Sequence, residues 1–419
     1  MKDAAGPASS DSIETRWSWT VATASLAIIM IAFGAPYVVV VALKPIAADL
    51  GGARSAPSLA SALAYLGTAA GGMLMGWWAD RVGVFWPVLL GSVMVGLGAM
   101  VAASGSEWAL YVGHGVMIGL LGNAGLFAPL LTYVSRWFDR RRGVAISLVT
   151  AGQQVAGALW PPLFGLAVER IGWQRTLSWY GVFTLVTLLP LALLMRRPPP
   201  APAPSTVLAD PVADAPVLGL RPNAAFGLLC LAIVGCCIAM AMPMGHLVAF
   251  CSDLGYAPAR GAEMLSLLLG SAFLSRMFWG HLSDRIGGLR TVLLGVVCQA
   301  AGMALFLFVE DLAGLYLLSA AFGIGFGGII PAYVLAVREL FPSAQAGWRI
   351  AAIIFFGLVG MAAGGWGAGA IYDYTAHYQP AFLLGLAANL ATVALVGVLV
   401  LRDRRPAGPA GHVGAPAAA

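Results

Sequence analysis

Long apolar runs separated by short polar segments dominate the pattern of hydrophobic and polar positions along the chain. The first six runs cover residues 17–43, 59–78, 85–103, 108–134, 144–168 and 176–195. Six more cover residues 224–250, 264–280, 291–309, 312–337, 350–372 and 381–401. Each has about the 20 residues that a helix needs to cross a bilayer, and none alternates as barrel strands do. The pattern predicts an all-α membrane protein with twelve transmembrane helices.

The composition supports a membrane location. Of the 419 residues, 60% are hydrophobic and 10% are charged, whereas a soluble domain carries about 25% charged residues. This excludes a water-soluble enzyme, and the spans contain no nucleophile–base pair, no paired acids and no metal-ligand spacing. We therefore expect no enzyme, no cofactor and no metal. The predicted location is the cell membrane, as a multi-pass protein of a bacterial inner membrane that works as a monomer in the lipid bilayer.

The distribution of lysine and arginine predicts the orientation. When twelve spans alternate, most of the 23 basic residues fall on the side of the N-terminus, and an excess of basic residues marks cytoplasmic loops. Both termini are therefore predicted to be cytoplasmic. Because the basic residues are spread over many loops rather than clustered on one surface, we expect no nucleic-acid partner.

A polar segment and an internal repeat predict two halves. We expect a cytoplasmic tail at 1–16, a six-helix bundle at 17–195, a flexible linker at 196–222, a second bundle at 223–401 and a disordered tail at 402–419. The sequence Gly76-Trp-Trp-Ala-Asp80-Arg81-Val-Gly83 follows the second run, and Gly280-His-Leu-Ser-Asp284-Arg285-Ile-Gly287 follows the eighth. Repeated six-helix halves are typical of transporters with a site between them at mid-membrane.

The Gly-x-x-x-Asp-Arg-x-Gly pattern resembles the signature of the major facilitator superfamily. Its second copy and the six-plus-six layout extend the resemblance over all twelve spans. The resemblance implies two pseudo-symmetric bundles that alternate access to a central site. It also implies a gating role for Asp80, Arg81, Asp284 and Arg285, in a contact that latches the outward-open state.

A narrower resemblance is to the monocarboxylate and oxalate:formate porters. It is carried by residues 136–145, by Trp17-Ser-Trp19, by Gly245-His246-Leu-Val, and by Arg276, eight residues before Asp284. It implies transport of an organic anion. In animal monocarboxylate carriers an aspartate precedes this arginine by one turn, but Ala272 occupies that position here, so the resemblance does not imply their aspartate-based proton coupling.

Arg276 is the candidate for binding the substrate. It lies about 20 Å and about 12 Å from the two ends of its helix at 1.5 Å per residue, and a charge at such depth faces a cavity or a partner. Every Asp and Glu lies in a loop or at the end of a run. We expect a substrate carboxylate to neutralise Arg276, and a single central cation favours a monoanion. The alternative is that Arg276 extends to the cytoplasmic headgroups or pairs with a structural acid.

Other polar and aromatic residues could shape the pocket. They are Tyr37, Asn123, Gln153, Gln154, Tyr333, Phe355 and Phe356, of which we select Tyr37, Asn123, Gln153, Tyr333 and Phe356; helix packing is the alternative. His246 is a candidate proton-responsive gate residue or a structural histidine. The predicted function is alternating-access transport of a small organic anion, a monocarboxylate, with a proton. The alternatives are an anion exchanger of the oxalate:formate type and a multidrug or other solute exporter.

Overall fold

The computed structural model describes residues 12–199 and 216–403, and this part of the chain is predominantly helical. The first half contains α1 (Arg16–Ala32), α2 (Ala35–Val41), α3 (Leu43–Asp49), α4 (Ser55–Val82), α5 (Phe85–Ala102), α6 (Glu107–Tyr111), a π-helix (Val112–Asn123), α7 (Ala124–Ser135), α8 (Arg142–Ile171), α9 (Trp173–Leu193) and a 3₁₀ turn (Leu194–Arg196). The second half contains α10 (Pro222–Asp253), α11 (Pro258–Ile286), α12 (Gly288–Leu305), α13 (Leu312–Phe326), α14 (Ile329–Leu340), α15 (Ser343–Thr375) and α16 (Gln379–Arg402). The predictions for the two tails and the linker fall mostly on residues outside the described ranges.

The all-helical prediction is confirmed. Within residues 12–199 and 216–403, ten helical stretches are long and apolar enough to cross a membrane. The two long helices outside this set are α8 and α11, with 30 and 29 residues. These are the helices that carry Gln153, Gln154 and Arg276. These polar residues lower the mean hydropathy of α8 and α11.

The sequence repeat has the same backbone in both halves. Gly83 ends α4 at φ 87° and ψ 162°, and Gly287 ends α11 at φ 84° and ψ 160°. This left-handed region favours glycine because it has no Cβ. Both copies of the motif therefore form the same tight turn after a long helix.

Close backbone approach explains the glycine-rich π-helix. A Cβ added at Gly119 would lie 2.6 Å from the carbonyl oxygen of Ala64 in α4, and one at Gly113 would lie 2.6 Å from that of Gly98 in α5. Such contacts exclude any larger residue. Single π turns are frequent at functional sites. This π-helix continues directly into α7, so the two form one span.

The two bundles meet through α4 against α15 and α8 against α11. We call the end of the helices with Asp80 and Asp284 the inner end and the end with Arg54 and Asp253 the outer end, after the predicted orientation. Toward the outer end the bundles touch: a Cβ at Gly369 of α15 would lie 2.5 Å from Ser58 Oγ of α4, and one at Gly165 of α8 would lie 3.2 Å from Ala262 of α11.

Among the described residues, the hydrogen bonds that join the bundles lie at the outer end and at mid-helix. At the outer end they connect Lys44, Arg54 and Ser55 of the first bundle to Ser252, Asp253, Asp373 and Tyr378 of the second.

Candidate functional site

Arg276 lies at the contact between α11 of the second bundle and α8 of the first. Its guanidinium meets the side-chain amide of Gln154. With the amide oriented to satisfy its neighbours, the Gln154 oxygen accepts a hydrogen bond of 2.6 Å from Arg276 Nη2, and its nitrogen donates to the carbonyl of Thr150 at 3.0 Å. One cation and one amide thus join the bundles at mid-helix.

The charge of Arg276 has no counter-charge in the described residues. No carboxylate lies within ion-pair distance of it, and its buried Nε has no hydrogen-bond partner. A buried charge without a partner is costly, and a guanidinium offers a planar fork that matches a carboxylate. The remaining donors of Arg276 can therefore receive an anion.

Tyr37 lies one helical turn outward of Gln154. A Cβ at Gly157 of α8 would lie 2.6 Å from the Tyr37 hydroxyl and 2.4 Å from Leu269 of α11. Glycine is therefore required at this crossing of three helices. Tyr37 thus lies where α8 and α11 meet, and its role in binding stays a prediction.

The other selected pocket residues form no hydrogen bond with Arg276 within the described ranges. Asn123 ends the π-helix and is buried, with an Oδ1 that has no partner, and Tyr333 of α14 is fully buried with an unpaired hydroxyl. Gln153 is half-buried, and its side chain forms no hydrogen bond in the described ranges. Phe356 is 39% exposed and packs edge-to-face on Phe355. Their roles in binding stay predictions.

An ion-pair network closes the outer end. Arg54, at the start of α4, donates from Nη1 to Asp253 Oδ2 at 2.6 Å and from Nη2 to Oδ1 at 2.7 Å. Lys44 donates to the same Oδ1 at 3.0 Å. Burial would lower the pKa of Arg54, but the hydrogen bonds to Asp253 and Tyr378 outweigh this and raise it above its usual range. Arg54 is therefore a permanent cation in the closure.

The same closure includes a helix cap that crosses the bundles. The α4 N-terminus has no cap from its own side chains. Asp373 of α15 accepts hydrogen bonds from the backbone N–H groups of Arg54 at 2.7 Å and Ser55 at 2.9 Å. A carboxylate at a helix N-terminus satisfies free donors and the helix dipole. α4 is thus capped only when the outer ends of the two bundles meet.

His246 joins this network instead of lying beside Arg276. Its Nε2–H donates to the carbonyl of Gly365 at 2.8 Å, which leaves Nδ1 to accept from the Tyr378 hydroxyl at 3.0 Å. Tyr378 accepts from Arg54 at 2.9 Å, and burial raises its pKa well above the usual range. The chain Arg54–Tyr378–His246–Gly365 therefore holds a neutral imidazole, and a gating role for His246 stays a prediction.

The repeated motif lies at the inner end, away from the closure. Asp80 is 3.9 Å from Arg136 of its own bundle, and both side chains are largely exposed. The Arg81 guanidinium stacks over Trp77 at 3.9 Å, and Asp284 and Arg285 are exposed. In this structure none of the four joins the two bundles, and their gating role stays a prediction.

Sequence reasoning missed much of the closure. Arg54, Asp373 and Tyr378 were not singled out, although an outward cluster of charged loop residues could have indicated them. The prediction of a single central cation also did not consider Arg349, which precedes the apolar run at 350–372 but is buried within α15. Arg349 donates to Asn223 and Gln345 and stacks among three aromatic rings. It lies at the inner end, so Arg276 stays the cation at mid-helix.

Comparisons with known proteins identify the family. The sequence profile described as the Major Facilitator Superfamily matches residues 24–275 and 227–418. The chain is 25% identical to the MFS transporter asaE of Aspergillus flavus over 78% of this chain and 74% of that protein. It is 26% identical to Monocarboxylate transporter 13 of Bos taurus over 73% of this chain and 71% of that protein.

Solved structures have the same fold. A bacterial homologue of the human lysosomal transporter Spinster, in an inward-facing and occupied conformation, is 16% identical and covers 93% of this chain and 98% of its own, with a TM-score of 0.68. A peptide transporter POT in complex with alafosfalin is 15% identical and covers 93% and 99%, with a TM-score of 0.70. At these identities the likeness concerns the fold alone.

Proposed function

Because the chain belongs to the Major Facilitator Superfamily and is a multi-pass membrane transporter, we propose that it carries a small organic anion, a monocarboxylate, by alternating access. The observation that carries this is Arg276, a mid-helix guanidinium with an unpartnered Nε and no carboxylate beside it in the described residues. Relatives named monocarboxylate transporters 13 and 11, at 26% and 29% identity, support the substrate class.

In the proposed mechanism both bundles contribute residues to the binding site. The substrate carboxylate binds the free donors of Arg276 on α11, and Gln154 and Tyr37 of the first bundle complete the pocket. Since ion pairs and hydrogen bonds join the two bundles at the outer end, we propose that the structure corresponds to a state open to the cytoplasm. Asn123, Tyr333 and Phe356 are proposed to line the pocket in other states of the cycle.

We also propose twelve spans, with α8 and α11 as the fifth and eighth, and both termini in the cytoplasm of a bacterial cell. α8 runs from Arg142 to Ile171, which is about 45 Å at 1.5 Å per residue. Single cysteines at Arg141 and Arg170 would then react with a membrane-impermeant reagent from opposite sides of the membrane. Labelling of both from one side contradicts the topology.

Transport by purified protein in proteoliposomes tests the function. We expect uptake of short monocarboxylates, weaker uptake of dicarboxylates, and none by Arg276→Ala. Arg276→Lys should bind poorly because an ammonium lacks the planar fork. Arg260→Ala, which removes an exposed arginine of the same helix, is the matched control. Wild-type uptake by Arg276→Ala would remove Arg276 from the site.

We propose co-transport with a proton, in which the substrate and His246 carry the charge. An inward proton gradient should then concentrate a monocarboxylate without a counter-anion. Acceleration of uptake by internal substrate, with no effect of the gradient, would instead establish exchange of one anion for another.

A further inference from the structure

A cationic cavity lies at the inner end of the first bundle, away from Arg276. Its volume is about 410 Å³. It is enclosed by the end of α4, the turn into α5, the end of α7 and the chain after α9. Three arginines line it, Arg136, Arg196 and Arg197, against a single acid, Asp80.

A separate cavity of about 140 Å³ lies at the outer end, within the closure between the bundles, and Lys44, Glu169 and Ser252 are among the residues that line it.

The positive charge of the inner cavity is largely uncompensated. The Asp80–Arg136 distance of 3.9 Å, between two largely exposed side chains, makes a weak pair. In the described ranges neither Arg196 nor Arg197 forms an ion pair, and both are exposed. Two to three guanidinium groups are therefore available to an anion at one place.

Aromatic rings hold these arginines in position. The Arg196 guanidinium lies 5.3 Å from the ring centre of Phe85, and that of Arg197 lies 5.4 Å from Trp17. The Tyr133 hydroxyl donates to the backbone carbonyl of Arg197 at 2.7 Å. The chain after α9 is thus tied to α7, and each of its two arginines lies beside an aromatic ring of the first bundle.

The surroundings identify the source of the anion. Beside the cavity, Trp77, Val82 and Trp86 are between 45% and 53% exposed, at the point where α4 ends and α5 begins. Exposed tryptophans at the ends of spans are typical of the membrane interface. Basic pockets at this depth on the cytoplasmic side suit anionic lipid headgroups. A soluble phosphate compound would need no apolar rim.

We propose that this inner cavity binds the phosphate group of an anionic lipid from the predicted cytoplasmic leaflet, held by Arg136, Arg196 and Arg197. The acyl chains lie along the exposed apolar surface of Val82 and Trp86. The site is separate from Arg276 and does not depend on which solute the protein carries.

Native mass spectrometry of the delipidated protein, titrated with phosphatidylglycerol, tests the proposal. Arg196→Gln/Arg197→Gln should lose roughly 30-fold in affinity, because each arginine near the surface contributes about 1 kcal/mol. Arg140→Gln/Arg141→Gln removes two exposed arginines at the same end outside the cavity and should bind as the wild type does. Arg196→Lys/Arg197→Lys should retain most of the affinity.

Three results would overturn the proposal. The first is equal loss in the Arg140/Arg141 control, which would show non-specific attraction. The second is equal binding of zwitterionic phosphatidylcholine. The third is displacement of the lipid by millimolar inorganic phosphate, which would make this a site for a soluble phosphate. If the double glutamine variant does not fold, Arg196→Gln alone should lose about fivefold, and wild-type affinity in that variant overturns the proposal equally.

Discussion

Arg54 of the first bundle donates to both carboxylate oxygens of Asp253 in the second, at 2.6 and 2.7 Å. The Arg54 side chain is 8% exposed and that of Asp253 is 24% exposed, so water screens this pair less than a surface pair. A bidentate charged pair is both strong and geometrically specific. Because each partner comes from a different bundle, the pair can exist only while the outer end is closed.

Arg54→Gln should therefore shift the protein toward an outer-open state. Removing one partner leaves Asp253 with Lys44 alone, and breaking a buried pair costs about 3–5 kcal/mol. Because Asp253 is partly exposed, we expect about 2 kcal/mol, or a roughly 30-fold change in the ratio of the two states. Distances between spin labels on the outer ends of α4 and α15 would measure it.

The control for this prediction is Arg260→Gln. Arg260 pairs with Glu263 within α11, and both side chains are about half exposed, so this pair does not join the bundles. Its loss should leave the label distances unchanged. Equal distance distributions in wild type and Arg54→Gln would mean that packing alone closes the outer end.

Lower pH should open the outer end through His246. The neutral ring accepts from Tyr378 at Nδ1, and a proton there would oppose the Tyr378 hydroxyl and add a cation near Arg54, with Asp253 and Asp373 as the acids of the same network. Protonation thus disrupts the closure. We expect the outer-open fraction of the wild type to rise as the pH falls from 6 to 4, and this rise to be absent in His246→Gln.

His281→Gln is the matched control, because His281 is exposed at the inner end. It should keep the wild-type pH response. The glutamine at position 246 should also abolish accumulation driven by a proton gradient while it leaves exchange of internal for external substrate intact. If His246→Gln responds to pH as the wild type does, His246 is structural.

Much of the fold could be predicted from the sequence because bilayer-spanning helices must be long and apolar. The repeat predicted two related halves, and Gly83 and Gly287 have nearly the same backbone angles. The π-helix could not be predicted, since it depends on how closely Gly113 and Gly119 approach neighbouring helices. Local sequence carries no signal for that distance.

The candidate site was only partly predictable for a related reason. Arg276 is evident as a charge inside an apolar run. Which of two adjacent amides reaches it depends on the rotation of α8, and the structure places Gln154 there rather than the selected Gln153. The Arg54–Asp253 pair joins residues 199 positions apart, so it follows from the packing of the bundles and not from any motif.

Asp80→Asn should change the balance of states without weakening the state described here. In this structure Asp80 forms only the exposed 3.9 Å pair with Arg136, which is worth about 0–1 kcal/mol. The implied latch acts in the opposite state, so its loss should favour closure of the outer end. Labels across the inner ends of α4 and α11 should report longer distances.

Asp139→Asn is the control for this variant, because Asp139 is an exposed acid at the same end that contacts Ser12. It should leave the distances unchanged. Unaltered distances and normal transport in Asp80→Asn would mean that the motif serves only as a tight turn.

Adjacent residues on α8 provide the sharpest test of the pocket. Gln154 accepts from Arg276, whereas Gln153 forms no hydrogen bond in the described part of the chain. Gln154→Ala removes a hydrogen bond to a charged group, worth about 1.5–3 kcal/mol, and should raise KM by at least tenfold. Gln153→Ala should change KM by less than about twofold.

Glutamate at the same two positions separates a binding role from a packing role. Gln154→Glu would place a carboxylate beside Arg276, neutralise the guanidinium and compete with the substrate anion, so uptake should be abolished although glutamate has the size of glutamine. Gln153→Glu adds the same charge one residue away and should transport. Thermal unfolding of the purified variants shows whether each is folded. If Gln154→Glu transports normally and Gln153→Glu does not, α8 faces the substrate with the other amide, and the Arg276–Gln154 contact is not part of the binding site.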